Sequence, residues 1–285
     1  MSTMHSLNVM DNRPSIPSFL VNSLPKGGTN LLSKAVSLFS EVYCSNTHIG
    51  KKNFTQVDQG IIPKTESVLI GVDWPCRVYL SSVRQILSKL RNGSYATIHI
   101  PFSEDLATLL IRISMKSFLI LRDPRDVVIS HANYVSTNPK HFLFKIYQPL
   151  SESERIMASI TGVKPIAQGH PMLLGIHERC QSVLPWVSQS FNYTTYFEKL
   201  VGSEGGGTRD TQIEELLGIA QHLNIKASMP KLEQIADHLF GGTHTFRQGS
   251  IGRWKECFSA DHKSVFKDLA GKTLIELGYE ENVEW

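Results

Sequence analysis

The feature that most constrains this chain is a short apolar run, Phe19-Leu20-Val21-Asn22-Ser23-Leu24, that stops at Pro25-Lys26-Gly27-Gly28-Thr29. Directly after it, Leu31, Leu32, Ala35, Val36 and Phe39 recur at helical spacing. Strand, glycine turn and helix in that order aim backbone N–H groups and a helix N-terminus into one concavity, which is how α/β folds hold phosphate. The expected fold class is therefore α/β, a central parallel sheet with flanking helices.

The alternation continues along the chain. Residues 67–72 read as a strand, 83–90 as a helix, 95–101 as a strand stopped by Pro101, and 104–112 as a helix. Phe118-Leu119-Ile120-Leu121 is uninterrupted apolar sequence of the kind buried in parallel sheets, closed by Arg122-Asp123-Pro124. Residues 44–66 are polar and give no element. Pro139, Pro149 and Pro165 break the pattern across 134–169, which predicts loops and short helices, a candidate acceptor lid. A helix over 172–187, a strand over 193–197 and a turn over 202–207 follow, and Thr211-Gln212-Ile213-Glu214 reads as a capping box opening a further helix. With 285 residues and no internal repeat, the prediction is an N-terminal extension over 1–18 and one domain over 19–285.

Composition narrows the function. Lys and Arg total 29 against 26 Asp and Glu, a net charge of +3 that is too small for a protein coating nucleic acid, so any anion site must come from local placement. The four cysteines are scattered without a CxxC pair, which argues against a zinc site and a disulfide framework and suits a reducing cytoplasm. Residues 1–18 carry Asn, Asp, Arg and two prolines where a signal peptide needs apolar sequence, and no later run reaches membrane-spanning length. A cytoplasmic protein is expected.

Three segments carry candidate chemistry. Pro25 to Asn30 differs from a nucleotide-binding P-loop because its lysine precedes the glycines. Arg122 stands at a strand end with Ser130 eight residues on, so that two helical turns bring both to one anion. Arg247-Gln248-Gly249-Ser250-Ile251-Gly252-Arg253-Trp254-Lys255 is a basic, glycine-rich loop. Two features keep ordinary readings. Gly271-Lys272-Thr273 has the Walker tripeptide but Phe266 where the first glycine belongs, so it reads as a solvated helix face, and His177-Glu178 lacks the second histidine of a zinc motif.

The order and separation of the three segments resemble the PAPS-dependent sulfotransferase family over about residues 19–266, where PAPS is 3′-phosphoadenosine 5′-phosphosulfate. The family's 5′-phosphosulfate loop, PKSGTT, is matched by Pro25 to Asn30 with Gly27 for serine and Asn30 for threonine; Lys26, Gly27, Gly28, Thr29, Asn30 and Leu31 are the implied contacts. The 3′-phosphate motif corresponds to Arg122 and Ser130, and the RKGxxGxWK loop to Arg247, Gln248 and Gly249, with glutamine replacing lysine. Thr97-Ile98-His99-Ile100-Pro101 is similar to the family's KTHLP segment, which implies His99 as catalytic base beside Lys26, with Thr97 in the place of the family lysine. Phe197-Glu198-Lys199-Leu200 resembles YEDL and implies Phe197 at the adenine. The resemblance thus implies a P-loop-like sulfotransferase fold, PAPS as co-substrate, 3′-phosphoadenosine 5′-phosphate (PAP) as product, no metal, and sulfation of a hydroxyl or amine on a small molecule. An acceptor from bacterial secondary metabolism, such as a saxitoxin-type alkaloid, is the expectation, with neither nucleic acid nor membrane as partner and the oligomeric state open. The competing classes are a P-loop kinase of a small metabolite and a non-catalytic nucleotide-binding protein.

Overall fold

The computed structural model describes residues 16–55, 62–242 and 249–285. Five parallel strands, β1 (Phe19–Ser23), β2 (Tyr43–Ile49), β5 (Ser94–Ile98), β6 (Lys116–Leu121) and β7 (Asn192–Tyr196), form a sheet in the order β2-β5-β1-β6-β7. β3 (Ser67–Ile70) and β4 (Cys76–Tyr79) form a separate antiparallel hairpin. Helices α1 (Thr29–Ser37), α2 (Leu80–Leu87), α3 (Glu104–Arg112) and α4 (Pro124–Thr137) complete the N-terminal half, and the longest helix of the C-terminal half is Ala260–Glu276.

Side-chain alternation along the central strands builds two cores. Phe19 and Val21 of β1, with Phe118 and Ile120 of β6, face α1 and the helix Arg209–His222. Leu20, Leu119 and Leu121 face the opposite way, among residues of α3, α4 and Ala260–Glu276. A strand covered on both sides has to be apolar at nearly every position, which explains why β1 and β6 were legible as unbroken runs. The strand order reverses at β1, whose neighbours β5 and β6 leave the sheet toward different connections. Ligands of open α/β sheets bind at the carboxyl ends of strands at such a switch point.

Four expectations need correction. The polar stretch after residue 42 contains β2, an edge strand with one face toward water, broken by a register shift between Cys44 and Thr47. The strand expected over 67–72 ends at Ile70 and forms its hairpin with β4, apart from the five-stranded sheet. The helix expected from Thr211 begins at Arg209, because the Thr208 side chain accepts the Thr211 N–H and so caps three residues earlier. Gly271 and Thr273 are buried, and Thr273 Oγ1 lies 2.8 Å from His177 Nδ1, so this segment packs against a neighbouring helix with only Lys272 exposed. Across 134–169 the prolines do separate short helices, Phe144–Tyr147 and Glu152–Thr161.

Candidate active site

Each strand of the parallel sheet delivers a residue to the same edge. Lys26 follows β1, His48 ends near the tip of β2, His99 directly follows β5, Arg122 directly follows β6, and Phe197 directly follows β7. All five line one cleft of ≈ 370 Å³, a size suited to a small organic ligand. The cleft also takes in Gly28, Thr29, Asn30, Leu31, Asp126, Ser130, Asn133, Tyr134, Gly249, Ser250 and Arg253. Gly27 lies within the same turn but is buried, its N–H donating to the Leu24 carbonyl at 2.8 Å. Arg247 and Gln248 lie outside the described residues.

The loop after β1 is held in a shape few sequences tolerate. Lys26 has φ 68° and Gly28 φ 114°. A Cβ on Gly28 would stand 2.8 Å from Ile120 Cδ1 and 3.2 Å from Phe197 Cδ2, so glycine lets the loop press against β6 and the end of β7. Gly28 is also the N-cap of α1, whose first-turn N–H groups have no intrahelical acceptors and present positive potential to the cleft. The Lys26 ammonium rests 4.3 Å from the centroid of the Tyr134 ring, near the end of α4.

The Arg-Asp-Pro-Arg-Asp turn divides its two arginines between structure and site. Arg125 is buried and forks onto Asp123, with Nη2 2.8 Å from Oδ2, and reaches Glu280 at 2.5 Å. Arg122 escapes that pairing. Its guanidinium lies 4.2 Å over the Phe197 ring, Nη2 donates to the Ser250 carbonyl at 3.0 Å, and its buried Nε has no hydrogen-bond partner. A buried guanidinium donor without an acceptor, at the floor of a cleft, is suited to an anion. Asp126 and Ser130 follow Arg122 at four-residue steps on α4 and so share its face.

His99 is fixed from three directions. Its Nδ1 lies 2.8 Å from the Ser23 carbonyl, its own carbonyl accepts the Gly71 N–H at 2.9 Å, and the Asn22 side chain grips both backbone groups of Ile100 at 3.0 Å. The contact to a carbonyl requires Nδ1–H and leaves Nε2 as the proton acceptor. Burial lowers the pKa of His99 below the ordinary imidazole value, and Lys26 adds to the shift, while the Ser23 carbonyl and Asp73 oppose it. The burial of the ring thus favours its neutral form. Asp73 itself is buried with His131 Nε2 at 3.4 Å and Arg179 Nη1 at 3.2 Å. Burial opposes its ionisation, yet His131 and the Arg179 charge hold its carboxyl well below the usual range.

Sequence reading missed several cleft residues. His48 lies with its ring centroid 5.3 Å from that of His99 and its Nδ1 2.9 Å from Thr97 Oγ1; its signal was hidden in the polar stretch that concealed β2. Tyr134 and Asn133 were within reach, since they continue the helical face of Ser130. Two aromatic residues of the 134–169 segment pack elsewhere: Tyr147 is buried with its hydroxyl 3.1 Å from Ser159 Oγ, and Phe142 stacks on His141 at 4.4 Å. Among the described residues, no group of three or more His, Cys, Asp or Glu could hold a metal ion, and no helix is long and apolar enough to cross a membrane.

Residues 17–159 match the family model described as sulfotransferase domain. No curated protein matches the chain. Among solved structures, mouse sulfotransferase SULT7A1 complexed with PAP is 14% identical, with a TM-score of 0.60 over 92% of this chain and 85% of its own. Retinol dehydratase in complex with androsterone and the inactive cofactor PAP is also 14% identical, with a TM-score of 0.56 over 92% and 82% of the two chains. At this identity the two structures establish the fold. The family match spans half of the chain, from β1 and the glycine loop through β5, β6 and α4 into the helix Glu152–Thr161, and on that ground the chain belongs to the sulfotransferase family.

Proposed function

We propose that the protein transfers the sulfuryl group of PAPS to a hydroxyl or amine of a small-molecule acceptor, releasing PAP. The observation that carries the reading is the placement of His99, its Nδ1 tied to the Ser23 carbonyl, in one cleft with Lys26 and Arg122. In this reading His99 Nε2 removes the acceptor proton as the acceptor oxygen or nitrogen bonds to sulfur. The bond from sulfur to the bridging oxygen breaks, and its electron pair stays on the leaving 5′-phosphate. Lys26 and the first-turn N–H groups of α1 face that growing charge. Sulfuryl oxygens carry less negative charge than those of a phosphoryl group, so the step makes no demand for a metal ion.

Arg122 and Ser130 bind the 3′-phosphate in this scheme, joined by the loop at Gly249 and by Arg247 and Gln248, and Phe197 backs the guanidinium of Arg122 near the adenosine. Among the described residues lining the cleft, Asp126 is the one carboxylate, and both its oxygens accept backbone N–H groups. A guanidinium acceptor of the saxitoxin type would meet only this one acid, already hydrogen-bonded to the backbone. We favour a neutral acceptor, lodged between His99, His48 and Tyr134, with segment 134–169 as its cover. Four free thiols suit a reducing compartment such as the cytoplasm.

Calorimetry with PAP and AMP tests the donor half directly. PAP should bind far more tightly, and equal affinity would overturn the reading. Labelled PAPS, offered with a panel of phenols, alcohols and amines, should then give labelled product and stoichiometric PAP.

A further inference from the structure

Three basic side chains line the cleft among the described residues: Lys26, Arg122 and Arg253. The first two have roles in the scheme above. Arg253 is half-buried, and among the described residues its guanidinium has neither a hydrogen-bond nor an ion-pair partner. A cation held partly out of water without a counter-charge is unfavourable unless a ligand supplies one.

Its backbone is held in place from both sides. Gly252 N–H donates to Asp126 Oδ2 at 2.7 Å and Trp254 N–H donates to Asp126 Oδ1 at 3.0 Å. Both carboxylate oxygens thus accept from the backbone on either side of Arg253, and neither makes an ion pair with its guanidinium. Asp126 lies four residues after Arg122 and four before Ser130 on α4. The clamp therefore sets Arg253 beside the first turn of α4, between Arg122, which precedes that helix, and Ser130, which lies on it. Arg122 in turn bonds the Ser250 carbonyl at 3.0 Å, which ties the start of the same loop to the same face.

We propose that Arg253 is a binding residue for the 3′-phosphate of the donor, held there by Asp126, and so determines selectivity for a 3′-phosphorylated nucleotide over one without it. The proposal rests on the PAPS reading above. A 3′-phosphate carries close to two charges and three terminal oxygens, and beside the arginines already assigned to it a further planar guanidinium can meet a remaining oxygen. The position also separates this role from the chemistry, because His99 and Lys26 belong to the ends of β5 and β1.

The test compares PAP with AMP, which differ only in the 3′-phosphate, by calorimetry and displacement on wild type, Arg253→Ala and Arg253→Lys. Arg253→Ala should weaken PAP by about ten- to a hundredfold, the range for one charged hydrogen-bonded contact, and leave AMP unchanged. Arg253→Lys should recover part of the loss. Unchanged PAP affinity in a folded Arg253→Ala variant overturns the proposal, and so does an equal loss for both nucleotides. If wild type itself fails to prefer PAP, the donor reading falls and the proposal with it; a wild-type preference that survives the substitution removes only the role of Arg253.

Discussion

Replacing Gly28 by alanine should damage stability and donor binding together, because one atom is excluded by two independent constraints. The residue has φ 114°, where a side chain costs roughly 1–3 kcal/mol of backbone strain. The added Cβ would also stand 2.8 Å from Ile120 Cδ1 and 3.2 Å from its Cγ1, and Ile120 is fully buried in the interior strand β6, so its side chain can yield only against its core neighbours. Overpacking of that kind costs roughly 1–3 kcal/mol, for a combined loss of about 2–6 kcal/mol. The loop can relieve part of this by lifting away from β6, but that motion carries Lys26 and the first turn of α1 with it. Denaturant titration of Gly28→Ala should show the stability loss, and calorimetry should show PAP binding weakened beyond what the folded fraction explains. Gly169→Ala is the control, since Gly169 also has a positive φ of 79° but nothing lies within 4 Å of its added Cβ; it should lose only roughly 1–2 kcal/mol and bind PAP normally. A Gly28→Ala protein within about 1 kcal/mol of wild type, with unchanged PAP affinity, would refute the account of the loop.

Arg122→Ala should weaken PAP by about ten- to a hundredfold in calorimetry, and Arg122→Lys should fail to restore it fully, because an ammonium reproduces neither the fork nor the stack on Phe197. Lys26→Ala should lower kcat and raise the donor KM, since the charge it faces is partly present before transfer and grows during it; an altered KM with unchanged kcat would confine Lys26 to binding. His99→Ala should reduce turnover about 10²–10⁴-fold while PAP affinity stays near wild type. Because the pKa of His99 is lowered, NMR titration of the donor-free protein should find its midpoint below about 6.5, with the neutral form above it. Turnover should accordingly fall on the acid side, and that limb should disappear from the residual activity of His99→Ala.

The legible parts of this protein were those whose physics is local or repetitive. β1 and β6 announce themselves because both faces are covered, and α3 because its apolar face and its Ser103 cap are contiguous in sequence. The segments bearing Lys26, His99, Arg122 and Ser130 could be read because each sits at a strand end or on the helix that follows. β2 was illegible for the complementary reason: an edge strand is stabilised by pairing with β5, and its exposed face accepts polar residues indistinguishable from a loop. In Arg-Asp-Pro-Arg-Asp either arginine is near enough to pair with an aspartate, and the fold decides that Arg125 takes Asp123.

The sequence by itself therefore determined the fold class and the order of the candidate phosphate-binding segments, since these depend on residue type and short-range spacing, and the resemblance of residues 97–101 to a family motif singled out His99 as the candidate base. Only the tertiary structure decided how the residues are used. It gave His99 its proton-accepting nitrogen through a carbonyl 76 positions away, and it brought His48 beside His99. It also set Arg253 against α4 through an aspartate more than a hundred residues earlier. These are contacts between chain segments whose separation no local periodicity encodes, and they arise only when the sheet and helices pack.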